Sequence, residues 1–133
     1  MTAETFVDAL IANAQQAAST TGTPLDLSSQ RDGLISSYNA GANLNESRAS
    51  VLRTLADNAT FKQAHYNSAF VLTEYFAYLR RDIDQGGYDF WVDVLNHGDR
   101  NNYRGMVCSF VTSREYQRRF SNVVSHDNTE CGR

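Results

Sequence analysis

Leu72-Thr73-Glu74-Tyr75-Phe76-Ala77-Tyr78-Leu79, followed by Asp84-Gln85-Gly86-Gly87-Tyr88-Asp89-Phe90-Trp91-Val92-Asp93-Val94-Leu95, is the stretch that decides the fold. Leu72, Tyr75, Phe76 and Leu79 recur at i, i+3, i+4 and i+7, and Tyr88, Trp91, Val92 and Leu95 repeat that spacing. Apolar residues at this period line one side of a helix, whereas a half-buried strand alternates with period two. Phe90 and Val94 widen the second stripe, so that helix is expected to be central and buried on more than one side. Asp84 offers a side-chain acceptor at its start, and Gly98 ends it.

The same reading extends outward in both directions. Asn101 or Asn102 begins a helix bearing Met106, Val107, Phe110 and Val111, and Ser113 starts a last helix that ends near Phe120. Toward the N-terminus, a helix over about Ala3 to Ala17 presents Phe6, Val7, Leu10 and Ala14 on one face. Ser19 to Pro24 is a loop. Asp26 or Ser28 caps a second helix that carries Leu34, Ile35 and Tyr38 and stops near Gly41. Asn45 caps a third helix through Val51, Leu52 and Leu55. After a break near Asn58, a turn or helix runs from Phe61 to Tyr66. The fold class is therefore all-α, a compact multi-helix domain.

The second half also echoes the first. Val51, Leu52, Leu55 and Ala56 precede Asn58-Ala59-Thr60-Phe61, as Met106, Val107, Phe110 and Val111 precede Ser113-Arg114-Glu115-Tyr116. The offset is constant, 106 − 51 = 55 and 116 − 61 = 55. Phe6-Val7 echoes Phe70-Val71, and Tyr38-Asn39-Ala40-Gly41 echoes Leu95-Asn96-His97-Gly98. The expectation is one helical domain over 1–121, built from a degenerate unit at 3–66 and a better patterned one at 67–121, with a polar tail at 122–133. Each unit alone buries too little apolar surface to be stable, which makes stacking of related units the economical solution.

Composition narrows the function classes. The chain has 133 residues, 41% of them hydrophobic, and a formal charge of −3 that argues against a nucleic-acid partner. Its twelve cations are nearly all arginine and are scattered, with Lys62 the only lysine. No segment approaches the roughly 20 apolar residues of a membrane span. The N-terminus lacks the basic and apolar regions of a signal peptide. A literal reading of that is cytoplasmic, but the favoured reading is a fragment of a longer exported protein.

Little chemistry converges. Asp82 to Asp93 has acids at loop positions one, three, eight and twelve, but position five is Gly86 and helical periodicity begins at Tyr88, so a calcium loop is not expected. Asp84 reads instead as an N-cap and Asp82 as a solvated acid. His65, His97 and His126 lack the close spacing of a zinc site. There is no nucleophile elbow and no phosphate-binding glycine loop. No cofactor, no metal and no catalytic residue is expected. Cys108 and Cys131 are either a disulfide that staples the tail to a helix or one buried and one exposed thiol. Tyr78 and Tyr103 fall off the main stripes and are the aromatic candidates for exposure. With Arg81, Asp82, Asp84, Asp89 and Arg104 they form the candidate ligand-binding patch.

The stretch from Phe70 to Trp91 resembles a bacterial domain-of-unknown-function family, four-two-one-four in the usual naming. The family pattern is approximately F-V-x-x-L-Y-x-x-x-L-G-R-x-P-D-x-x-G-L-x-Y-W. Phe70, Val71, Tyr75, Leu79, Arg81, Asp84, Gly87 and Trp91 match, and Phe90 substitutes for Tyr. Val111-Thr112-Ser113-Arg114-Glu115-Tyr116 resembles the closing F-x-x-S-x-E-Y/F element. Arg80 stands for Gly and Ile83 for Pro, departures that fall in the turn before Asp84. The resemblance implies an all-helical module appended to secreted or surface bacterial proteins and distantly similar to phycobilisome linker domains. It implies no catalytic residues, and its extracellular setting favours the Cys108–Cys131 disulfide.

The expected function is a non-catalytic extracellular binding module for a cell-surface or extracellular glycan. The alternative is a structural or assembly module that contacts neighbouring protein domains. No nucleic acid and no membrane insertion are expected. The sequence leaves the oligomeric state open.

Overall fold

Six of the seven described α-helix starts fall where a side-chain oxygen accepts from the otherwise unpaired N–H groups of a first turn. The computed structural model describes residues 1–120, 122 and 129–132. Among them are seven α-helices and no strand: α1 (Ala3–Thr20), α2 (Arg31–Asn39), α3 (Leu44–Asp57), α4 (Ala59–Glu74), α5 (Gln85–Asn96), α6 (Tyr103–Val111) and α7 (Arg114–Phe120). A 3₁₀ turn, Ser28–Gln30, precedes α2, and α4 runs on into a π-helical turn, Tyr75–Leu79. The chain divides into two units, Met1–Tyr66 and Asn67–Arg133, with the boundary inside α4.

The first unit is centred on Val7, Ile11, Leu25, Leu27, Leu34, Val51 and Leu55, all buried. Each such side chain contributes about 1.5–3 kcal/mol of transfer free energy. Leu25 and Leu27 come from the segment after Pro24, where no periodicity marks them as core. They are held there because the Leu27 N–H donates to Gln15 Oε1 at 3.0 Å. Asp8 and Arg31 pair through two hydrogen bonds, 2.6 and 3.0 Å long, on the surface of this unit.

The second unit is centred on Val71, Tyr75, Leu79, Val92, Leu95, Met106 and Phe110. The Tyr75 and Trp91 rings meet Phe110 edge-on, with centroids 4.9 and 5.6 Å away. Arg80, where the family pattern has Gly, adopts the left-handed region at φ 48° and ends the π turn. The turn before α5 therefore forms without the glycine, and Asp84 caps the helix.

Several boundaries and faces differ from the sequence reading. Asn43, not Asn45, caps α3: its side chain accepts from Glu46 N at 3.0 Å, and Glu46 in turn accepts from Ala42 N. Asp26 makes a local turn with Ser28 N, and α2 begins at Arg31 with no side-chain cap. The α1 helix continues through Thr20, whose hydroxyl donates to Ala17 O. The segments at Phe61–Tyr66 and Leu72–Leu79 are one helix with its π turn. Its core register is Val71, Tyr75 and Leu79, and Leu72 and Phe76 are exposed. Both registers are apolar, so spacing alone does not choose between them. Leu52 is likewise exposed. Phe90 is 59% exposed rather than a second buried face. At about 100° per residue it lies on the opposite side of α5 from Val92. The polar tail expected at 122–133 lies mostly outside the described residues, as does His126.

Candidate functional site

The family pattern resolves into one cluster around Arg81. Its guanidinium donates to Glu115 Oε1 and Oε2 at 2.7 and 3.1 Å, to Asp82 O at 2.9 Å and to Asp84 Oδ2 at 3.5 Å. The group lies 5.0 Å over the Tyr75 ring. The Glu115 carboxyl is held below its ordinary range, first by the Arg81 hydrogen bonds. The Asp84 carboxyl is lowered first by the N–H of Gly87, which it accepts at 2.8 Å as the α5 cap. Burial raises the Tyr75 phenol, whose hydroxyl meets the Trp91 side chain in a hydrogen bond. Gly87 sits against that hydroxyl, and a side chain there would collide with it. Arg119 closes the cluster by donating to Leu79 O at 2.8 Å, with its other terminal nitrogen 3.3 Å from Glu115. Arg81, Asp84 and Glu115 find their partners inside the cluster, which works as a clasp between α5, α7 and the π turn.

The residues singled out from the sequence are therefore not one patch. Arg81 and Asp84 belong to the clasp. Tyr78 and Tyr103, expected at the surface, are half-buried against the core. Tyr78 faces Tyr116 of α7, centroids 6.4 Å apart. Tyr103 packs on Phe70 at 4.7 Å and donates to Asn67 Oδ1 at 2.7 Å. A helix flanked by two partners buries more than its strongest stripe, which single-helix periodicity does not show. Asp82, Asp89 and Arg104 are exposed; Asp89 accepts from Gln85 Nε2. Among the described residues no group of three or more His, Cys, Asp or Glu could hold a metal ion. Cys108 and Cys131 form a disulfide with Cα atoms 5.7 Å apart, which ties residues 129–132 to α6.

The second unit instead carries a groove of about 190 Å³ between α5 and the start of α6. Phe90, Trp91 and Val94 form its α5 wall, and Met106, Gly105 and Ser109 its α6 wall. The Phe90 and Trp91 rings stand nearly perpendicular, 5.2 Å apart. Asp99 and Asn102 close one rim. That rim is stiff. Asn102 caps α6 by accepting from Gly105 N at 2.8 Å and donates to Asp99 Oδ2. The absence of a Cβ at Gly105 makes room for the Asn102 amide. Asn101 takes a left-handed conformation at φ 57°, and its N–H donates to Leu95 O. Asn67 of α4 pins the same loop by donating to Leu95 O and Asn96 Oδ1. Sequence reasoning placed Phe90 in the core and passed over Asp99; Trp91, expected in the core, packs on it and also lines the groove. The signal available was angular: Phe90 is a large aromatic residue two positions from Val92. The first unit holds a smaller hollow of about 90 Å³, lined by Gln30, Gly33, Leu34, Thr54, Leu55 and Asn58, with no charged group.

These features define an all-helical module with a structural ion-pair clasp and a separate open aromatic groove. Residues 52–120 match the family model described as Domain of unknown function (DUF4214), and the chain belongs to that family. No curated protein and no solved structure matches the chain.

Proposed function

We propose that this chain is a non-catalytic extracellular binding module that recognises a carbohydrate through the groove beside Phe90. The observation that carries the reading is the pairing of an exposed aromatic ring with a preorganised polar rim. The exposed Phe90 ring offers a face for the C–H side of a sugar ring, Trp91 stands at right angles beside it, and Asp99 and Asn102 offer hydrogen-bonding groups at the rim. The Cys108–Cys131 disulfide supports an oxidising location as part of an exported protein. The clasp supports a non-catalytic reading, because its perturbed groups are paired with one another. Affinity electrophoresis on polysaccharides tests the proposal. Retardation by at least one polysaccharide, lost in Phe90→Ala with the fold intact, is the expected result.

The second reading is an assembly module. Leu72 and Phe76, four residues apart on one helix, are 37% and 54% exposed. Such an apolar pair suits a protein partner. Concentration-dependent mass in solution, abolished by Phe76→Ser, would favour it.

The two halves are best read as related units. Asn58 accepts from Phe61 N and Ser113 from Tyr116 N, 55 positions on. Arg48 lies over Phe6, and the residue 55 positions later, Tyr103, packs on Phe70.

A further inference from the structure

Resting on the carbohydrate reading of the Phe90 groove, we infer that its ligand is an uncharged, hydroxyl-rich sugar and that acidic sugars are excluded. The argument is a count of charges, donors and acceptors. Among the described residues Asp99 is the one charged residue that lines the groove, and no cation does. Much of the remaining polar capacity is committed within the protein. Asn102 Oδ1 accepts from Gly105 N, and one Asn102 amide hydrogen goes to Asp99 Oδ2. The Ser109 hydroxyl donates to Gly105 O at 2.9 Å. What remains for a ligand, counted against the described residues, is acceptor-rich: the Asp99 Oδ1, the lone pairs of Ser109 and a single N–H of Asn102.

An acceptor-rich site needs a ligand that donates, and sugar hydroxyls do so without bringing a charge of their own. A uronic or sialic acid would set its carboxylate near Asp99 with no lining cation to neutralise either, which costs binding free energy. The outer face of α5 reinforces the bias, since Asp89 and Asp93 are also exposed there. α5 itself carries no basic residue, His97 at its C-cap already meets Asp93 Oδ1 at 2.9 Å, and the exposed Arg100 and Arg104, next in sequence to Asp99 and Gly105, do not line the groove. Cationic amino sugars are the rival donors. The groove holds only one carboxylate, half of it taken by Asn102, and Phe90 and Trp91 meet edge to face rather than forming a closed cage. Stacking of a neutral ring needs only the one exposed face of Phe90.

The test is affinity electrophoresis of the disulfide-intact chain in gels containing neutral polysaccharides (yeast mannan, dextran, galactomannan), anionic ones (alginate, polygalacturonate) or glycol chitosan, at low and high salt. Expected is retardation in at least one neutral gel, unchanged by salt, and none in the anionic gels. Phe90→Ala should abolish it, and Asp99→Asn should weaken it by about tenfold or more through loss of a charge-assisted hydrogen bond. Circular dichroism confirms that both exposed-site variants fold. Retardation by anionic gels that Phe90→Ala removes would overturn the exclusion of acidic sugars while leaving the carbohydrate reading in place. Retardation by glycol chitosan alone would overturn the neutral class. Binding that survives Phe90→Ala would remove the site, and no retardation in any gel would remove the carbohydrate reading with it.

Discussion

Arg81 and Glu115, 34 positions apart in sequence, face each other through two parallel hydrogen bonds of 2.7 and 3.1 Å. This pair joins the first element of the family pattern to its last. It is a fork-to-fork arrangement, for which Lys is not an equivalent donor. In a double-mutant cycle of Arg81→Ala and Glu115→Ala, a coupling of about 1–2 kcal/mol is expected from denaturant unfolding, the lower end reflecting partial exposure. Additive effects of the two substitutions would show that the clasp is not a unit.

Two glutamates give opposite pH slopes. Glu115 has its carboxyl lowered by Arg81, so its contribution is present above pH 4.5, the ordinary value, and is lost as pH falls through the depressed folded value. Glu74 is 8% exposed with Oε2 enclosed and without a hydrogen-bond partner, and burial raises its carboxyl. Its penalty is absent below 4.5 and complete once pH has risen through the raised folded value. The family pattern carries Leu where this chain has Glu74. Glu74→Leu is expected to raise stability at pH 7 by about 1–2 kcal/mol, with little gain in acid. Chemical denaturation at several pH values checks both slopes.

Gly87→Ala tests the close approach of α5 to Tyr75. A methyl at this position meets the Tyr75 hydroxyl. Relieving that contact requires a shift of the helix start or loss of the Trp91 hydrogen bond. A loss of about 1–3 kcal/mol is expected despite the better helix propensity of alanine. Near-ultraviolet circular dichroism should show the Trp91 signal changing with it.

Reduction or Cys108→Ser with Cys131→Ser opens a loop of 23 positions. The chain-entropy relation puts the loss at about 3 kcal/mol. Thermal melts with and without reductant measure it, and intact mass before and after alkylation verifies the bond.

The helices were legible where one register dominates. The α5 stripe of Val92 and Leu95 and the Asp84 cap follow from spacing and capping chemistry, and of the two candidates Asn101 and Asn102 it is Asn102 that caps α6. Where two apolar registers run side by side, as with Val71 and Leu72 or Tyr75 and Phe76, the choice belongs to the neighbouring helix and is not written in the segment itself. Leu25 and Leu27 are buried in an irregular stretch, where no period exists to read. The Arg81 cluster was visible as a pattern, but its meaning was not: Glu115 lies 34 positions away, and only the fold shows that the two are partners. The groove was missed because Phe90 was assigned to the core by hydrophobicity rather than by angle, and because Asp99 and Asn102 come together only through the turn at Asn101.

The central claim is that the family pattern builds scaffold and that ligand recognition sits at Phe90. Amide chemical-shift mapping during titration with a neutral oligosaccharide, chosen from the polysaccharide retained in gels, tests it most directly. The account predicts shifts at Phe90, Val94, Asn102, Gly105 and Ser109, with Arg81, Asp84 and Glu115 unmoved. Shifts centred on Arg81, Asp82 and Tyr78, with the groove silent, would contradict it.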